Sequence, residues 1–162
     1  MAASAPSAAI TALVPYVAIV GAAEASAEEL AAAEAVGALL GGAGAVVVCG
    51  GMGGVMAAGC RGAREAGGTA VGILPGLDRS VANRWVTVAI TTGLGELRNG
   101  VIVRCSDAVI AIGGAYGTLS EVALALNTGV PVVGLGTWEI DGIEHMGSPA
   151  EAVARALELA QR

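Results

Sequence analysis

Short, unbroken apolar segments alternate with Ala- and Glu-rich stretches of helical length, and glycine turns join them. The sequence therefore predicts an α/β protein. The apolar segments lack the in–out alternation of a half-solvated strand, so they are read as a mainly parallel sheet with helices on both faces. Right-handed crossovers then give a doubly wound, Rossmann-like single domain over residues 14–162. Residues 1–13, rich in Ala, Ser and Pro, are read as a flexible tail.

Residues 16–20 (YVAIV) form a buried strand that ends at Gly21. Ser26 opens a capping box with Glu29 three residues on, and its helix runs to about residue 40, before Gly41-Gly42. Residues 45–49 (AVVVC) are the second strand, and the run Gly50-Gly51-Met52-Gly53-Gly54 feeds a helix over 55–66. Residues 69–73 are the third strand, broken by Pro75-Gly76. A polar loop over 77–84 leads to a fourth strand over 86–90 and a helix from about 96 to 105 carrying Arg98, Asn99 and Arg104. Residues 108–112 are the fifth strand, followed by Gly113-Gly114-Ala115-Tyr116-Gly117 and a helix over 118–126. Residues 130–134 are the sixth strand, Asp141-Gly142 marks a turn, and Ser148-Pro149-Ala150-Glu151 caps a closing helix to about residue 159.

Composition excludes several functions. The 162 residues are 55% hydrophobic with mean hydropathy +0.74, too apolar for a disordered chain. Gly, Glu, Asp or Arg nevertheless interrupts every apolar stretch before a membrane span of ~18 residues is reached. All eight basic residues are Arg. Without a lysine there is neither a pyridoxal-phosphate Schiff base nor the lysine of a phosphate-loop NTPase. A net charge of −6 and four aromatic residues (Tyr16, Trp85, Tyr116, Trp138) argue against nucleic acid as a partner. Cys49, Cys60 and Cys105 with the single His145 are too few, at the wrong spacing, for a zinc site, and no metal is expected. The cysteines read as buried thiols of a reducing cytoplasm, and the first basic residue, Arg61, lies too far in for a signal peptide.

In a doubly wound sheet, ligands bind beyond the carboxyl ends of the strands. Gly21, the run Gly50, Gly51, Met52, Gly53, Gly54, and the turn Gly113, Gly114, Ala115, Tyr116, Gly117, Thr118 all fall there. A helix N-terminus offers free N–H groups and partial positive charge, and glycine lets an anion approach. These residues are therefore candidates to bind a phosphate, although such a turn can also be only a tight connection. The spacing from Gly51 (GMGGVM) is not a dinucleotide fingerprint, and no acidic residue ends the second strand, which disfavours NAD. Thr118 either caps its helix or donates to a phosphate. Glu121, one turn in, either partners a Ser or Arg or faces the ligand, and Arg98 lies 23 residues earlier on the preceding helix. Met52 and Met56 either line the pocket or pack behind it. His145 reads as a surface or interface residue, Glu139, Asp141 and Glu144 as a solvated acidic edge, and Trp85 as core or interface. Arg79 and Arg84 flank the polar loop and could reach a ligand's far end or a neighbouring subunit.

GGAYGTLSE resembles the PGGxGTxxE signature of the LOG proteins, the cytokinin-activating phosphoribohydrolases of the SLOG superfamily that are often mislabelled lysine decarboxylases. The resemblance continues through LRNGVIVRCSDAVIAI upstream, through GGMGGVM at residues 50–56, and through AGGT to Leu74-Pro75, covering about residues 17–135. It implies that Arg98 and Glu121 act at a ribosyl bond if the chain is a hydrolase. Gly113 replaces the signature proline, Ala115 its second glycine, Asn99 the usual lysine and Gly95 the usual methionine. Asn99 is carried as a ligand-binding candidate. The short chain and GTLSEVALAL resemble more closely the molybdenum cofactor carrier proteins of the same superfamily. The DNA-processing protein A fold, which binds single-stranded DNA, is a more distant resemblance. The resemblance implies a binding or carrier protein for a nucleoside monophosphate, phosphopterin or molybdenum cofactor as cargo, with no required cofactor. The alternative is a phosphoribohydrolase. A homodimer or higher assembly is expected, since Val101, Ile102, Val122 and Leu126 cannot all face one sheet.

Overall fold

The computed structural model describes residues 13–161, so the expected tail lies outside the described residues except for Leu13. Strands β1 (Tyr16–Gly21), β2 (Val46–Cys49), β3 (Thr69–Leu74), β4 (Val88–Thr91), β5 (Ala108–Ile112), β6 (Val132–Leu135) and β7 (Ile143–His145) form one parallel sheet. Their order is β4-β3-β2-β1-β5-β6-β7. Helices α1 (Ala27–Gly42), α2 (Val55–Glu65), α3 (Arg98–Arg104), α4 (Tyr116–Thr128) and α5 (Pro149–Ala160) flank it. This is the doubly wound, Rossmann-like α/β architecture expected.

The central strands are apolar on both sides because both sides are covered. Val17 and Ile19 of β1 face the layer of α1, α2 and α5, together with Ile110 and Ile112 of β5. The alternate residues Ala18 and Val20 face α3 and α4, with Val109 and Ala111. Complete burial of each Val or Ile contributes ~1.5–3 kcal/mol. The first layer is tight because α1 and α2 meet through glycines. A Cβ at Gly37 would overlap the carbonyl oxygen of Gly59, and one at Gly62 that of Glu34.

Both expected capping residues are in place. The Ser26 hydroxyl accepts from Glu29 N–H, and the Glu29 carboxylate accepts from Ser26 N–H at 2.7 Å. Ser148 caps α5 through Glu151 N–H, but the Glu151 carboxylate accepts from Gly147 N–H instead of completing the box.

Several boundaries differ from the sequence reading. β4 begins two residues late because Val86 N–H turns back to Asn83 O. β6 also begins two residues late, since Val130 N–H closes the end of α4 on Ala125 O and Pro131 has no N–H to give. The helix expected from residue 96 is a 3-10 turn, Gly95–Leu97, that leads into α3. α4 is longer than expected at both ends and stops at Gly129, whose φ of 77° is left-handed. β7 was not anticipated. It is a three-residue edge strand, and it draws Glu144 out of the supposed solvated edge: Arg155 of α5 donates to both Glu144 oxygens, at 2.5 and 3.0 Å.

The two faces are not equally covered. Val88 and Ile90 pair in register with Val71 and Ile73, so they lie on the α3 side of the sheet, and both are exposed. On the same side, Ile102 and Val122 are buried while Val101 is exposed.

Candidate functional site

Strand order reverses between β1 and β5: the chain runs from β1 outward to β4, then returns to place β5 on the other side of β1. Loops leaving β1 and β5 therefore part at this point and open a crevice, the usual ligand position in such sheets. A cleft of about 400 Å³ occupies it.

The cleft gathers residues from four parts of the chain. Gly21, Ala22 and Ala23 come from the end of β1, Met56 from α2, Arg98 and Asn99 from α3, and Ala115, Gly117, Thr118 and Glu121 from the start of α4. Pro75, Gly95 and Glu96 close its rim. Of the sequence candidates, Gly21, Met56, Arg98, Asn99, Ala115, Gly117, Thr118 and Glu121 thus share one cavity, while Met52 lies outside it. Sequence reasoning missed Ala22, Ala23, Pro75, Gly95 and Glu96 as lining residues. Only the broken third strand at Pro75 and the glycine at residue 95 signalled a turn there.

The two glycine loops are not equivalent. None of Gly50, Gly51, Met52, Gly53 and Gly54 lines the cleft. Gly54 has a φ of 61°, and a Cβ there would overlap the carbonyl oxygens of Ala22 and Ala23. Val55 N–H, the first of α2, already donates to Ala22 O at 3.0 Å. Met52 O accepts from the side chain of Asn83. This loop packs the β1 turn against α2. Gly50 differs from the rest of the loop. A Cβ there would come within 2.6 Å of Arg98 Nη2, so the glycine makes room for the guanidinium.

The start of α4 faces the cleft. The N–H groups of Gly117 and Thr118 have no intrahelical acceptor, as at any helix start, and both residues line the cleft. Thr118 Oγ1 is 3.3 Å from Ala115 N–H and accepts from it, so its hydroxyl serves the cap. Tyr116 is exposed and outside the cavity. Gly113 and Gly114 line a smaller neighbouring hollow instead.

The charges in the cleft are unusual for their burial. Arg98 donates to Asn99 Oδ1 and, at 3.4 Å, to Gly50 O, while its buried Nε has no partner among the described residues. Asn99 is itself buried and donates to Ser120 Oγ at 3.0 Å, which locks its amide toward Arg98. Glu121 is 7% exposed. Burial pushes its carboxyl up to about 7, and the nearby Arg98 charge opposes that only in part. A cation with an unused donor, a helix start and a carboxyl poised near neutrality therefore converge on one cavity.

The remaining candidates lie elsewhere. Trp85 packs beside Cys49 and Cys60 with the guanidinium of Arg84 5.1 Å and that of Arg61 5.7 Å from its ring centre. Arg79 sits in a 3-10 turn, Arg79–Val81, of the exposed loop and does not line the cleft. His145 is on the edge strand, its Nε2 3.6 Å from Glu139. Cys49 and Cys60 are buried with their sulfurs 3.3 Å apart, whereas Cys105 is exposed, against the expectation of three buried thiols. Among the described residues no group of three or more His, Cys, Asp or Glu could hold a metal ion. No helix among them is long and apolar enough to cross a membrane.

An uncharacterized protein of Archaeoglobus fulgidus is 41% identical over 136 residues, covering 83% of this chain and 89% of its own. The molybdenum cofactor binding protein of the phototrophic bacterium Rippkaea orientalis superimposes with a TM-score of 0.87 at 33% identity, over 92% of this chain and 99% of that one. The molybdenum cofactor carrier protein of Chlamydomonas reinhardtii does so with a TM-score of 0.83 at 32% identity, over 91% and 98%. The SLOG cluster4 family matches residues 14–161, nearly all of the described chain, and the protein belongs to that family.

Proposed function

We propose that the cleft between β1 and β5 binds the phosphate of a nucleotide-like small molecule, and that the protein holds such a ligand as a binding or carrier protein. The observation that carries this reading is Arg98, whose buried Nε has no partner among the described residues, in a cavity where the first N–H groups of α4 have no intrahelical acceptor. A phosphate supplies acceptors to both. Its charge is balanced by the guanidinium, and Glu121, whose carboxyl burial pushes up to about 7, adds no repulsion where it is protonated. Structures of molybdenum cofactor binding and carrier proteins share this fold at about one-third identity, which supports a phosphorylated pterin cofactor as cargo.

Calorimetric titration with nucleoside monophosphates and their nucleosides tests the phosphate site. The monophosphate should bind at least about tenfold more tightly, as expected when one charge-assisted contact is added. Arg98→Ala should remove that difference. Equal affinities for nucleoside and nucleotide would overturn the reading.

A second reading, a phosphoribohydrolase, is favoured by one specific observation: Glu121 sits near neutrality beside Arg98, as a general acid should. In that reaction a water oxygen bonds to the ribose anomeric carbon as the N-glycosidic bond breaks; the base leaves with a proton from Glu121, and the Glu121 carboxylate takes up the proton the water gives up. The binding reading ranks first because Arg98 is tied back to Asn99, which stands where the hydrolases usually carry a lysine. Release of ribose 5-phosphate from AMP should be slow or absent. Rapid release, abolished by Glu121→Gln in a folded protein, would make hydrolysis the function.

A further inference from the structure

Beside the phosphate cleft lies a second hollow of about 290 Å³, lined by Glu29, Gly113, Gly114, Gly136, Thr137 and Trp138. It is at the small end of whole-ligand pockets, ~300–1,000 Å³, and so is sized for part of a ligand. One turn walls both cavities: Gly113 and Gly114 floor the hollow, and Ala115, Gly117 and Thr118 line the cleft. A molecule with its phosphate at the start of α4 can extend its other end into the hollow.

The chemistry of the hollow is specific. Glu29 Oε2 accepts from Ser26 N–H, while Oε1 accepts no hydrogen bond among the described residues. Oε1 lies against the Cα of Gly113, where a Cβ would overlap it. The glycine at residue 113, with a φ of 54°, is what allows the carboxylate to reach the hollow. In the same hollow, Trp138 Nε1 lies 3.1 Å from where a Cβ on Gly114 would be, and it makes no hydrogen bond among the described residues. Thr137 Oγ1 donates to Gly113 O at 2.6 Å and fixes the turn between them. The wall thus presents an acceptor-only carboxylate and an unused indole donor within one small space.

We propose that this hollow recognises a ring bearing a 2-amino-4-oxo pyrimidine edge, the edge shared by guanine and the pterins. The adjacent amino and imino N–H groups donate to Glu29, and the ring carbonyl accepts from Trp138 Nε1. Adenine has neither the donor pair nor the carbonyl. This assignment rests on the phosphate cleft proposed above and adds to it the class of ring that the ligand carries.

The test compares GMP, IMP, AMP, guanosine and the phosphate ester of 6-hydroxymethylpterin by calorimetry on the intact protein. GMP should bind about tenfold or more tightly than IMP, which lacks only the 2-amino group, and IMP more tightly than AMP. Glu29→Gln should bring GMP and IMP to within about threefold, with an unchanged melting temperature, because Gln also completes a capping box. Trp138→Phe should weaken GMP and IMP alike and leave AMP unaffected. Tighter binding of the pterin ester than of GMP, lost in Glu29→Gln, would identify a pterin as the source of the edge; the reverse order would identify a guanine nucleotide. Equal binding of GMP, IMP and AMP, or a GMP preference that survives Glu29→Gln, overturns the proposal. Phosphate dependence without ring preference would sink only this inference. Ring preference with guanosine equal to GMP would sink the phosphate cleft instead. Failure of all five probes to bind overturns both.

Discussion

Glu121→Gln isolates the energetic cost of the cleft. The Glu121 carboxyl titrates near 4.5 when unfolded and about 7 in the folded protein, because burial disfavours its charge. Each pKa unit is ~1.36 kcal/mol, so holding the ionised carboxylate in the fold costs about 3 kcal/mol once it is fully charged. The sign follows from proton uptake. Between these two values the folded state binds more protons than the unfolded state, so this group makes stability fall as pH rises through that window and contributes no further change above it. Glutamine keeps the shape and never ionises. Urea unfolding near pH 8 should therefore find Glu121→Gln more stable than wild type by roughly 2–3 kcal/mol, shrinking below about 1 kcal/mol near pH 5. Any change in the denaturant slope would invalidate the comparison, so the midpoint shift is read at constant slope. An equal stability difference at both pH values would mean that Glu121 is not the titrating group and that the cleft does not raise its pKa. Anion binding coupled to the same carboxyl should tighten as pH falls from about 8 to 6, since a neutral Glu121 adds no repulsion.

Three further expectations concern packing, thiols and assembly. Gly62→Ala should destabilise by about 1–3 kcal/mol or more, because its Cβ would overlap the Glu34 carbonyl oxygen. Gly42→Ala, with nothing within 4 Å of its Cβ, should gain about 0.5 kcal/mol, and urea unfolding of both variants checks the pair. Ellman's reagent should titrate one thiol, Cys105, in the native protein, more slowly than a free thiol because partial burial pushes its pKa up, and all three in denaturant; native reaction of two or three would show that the packing around Cys49 and Cys60 opens. Light scattering at micromolar concentration should give at least twice 15.6 kDa, because Val88, Ile90 and Val101 leave an apolar surface on the α3 side. Val101→Glu should then lower the mass to that of one chain. A wild-type monomer would refute the assembly.

How far the site is legible in the sequence depends on the range of the contact that creates it. The strand and helix order is written locally: β5 is five consecutive apolar residues because all five are buried, and Ser26 with Glu29 announces α1. Arg98 and Glu121 stand out because charged residues are scarce beside such strands, and both reach the cleft. β7 is hidden because a three-residue edge strand carrying Glu144 and His145 has no apolar signature. The two glycine loops show the harder limit. Both read as anion cradles, yet Gly54 is required by the Ala22 and Ala23 carbonyls, and Gly113 by the Glu29 carboxylate, 84 residues away in the chain. A glycine records only that something comes close, not what. Where the neighbour is backbone already hydrogen-bonded, as at Gly54, the loop is structural. Where it is a carboxylate oxygen or a guanidinium with unused hydrogen-bonding capacity, as at Gly113 and Gly50, the missing side chain leaves a polar group exposed to a cavity. Gly54→Ala should therefore cost stability first, whereas Arg98→Ala should cost phosphate affinity with little loss of stability. Loss of affinity in proportion to stability in both variants would show that the Gly54 turn and the Arg98 guanidinium do not differ in role.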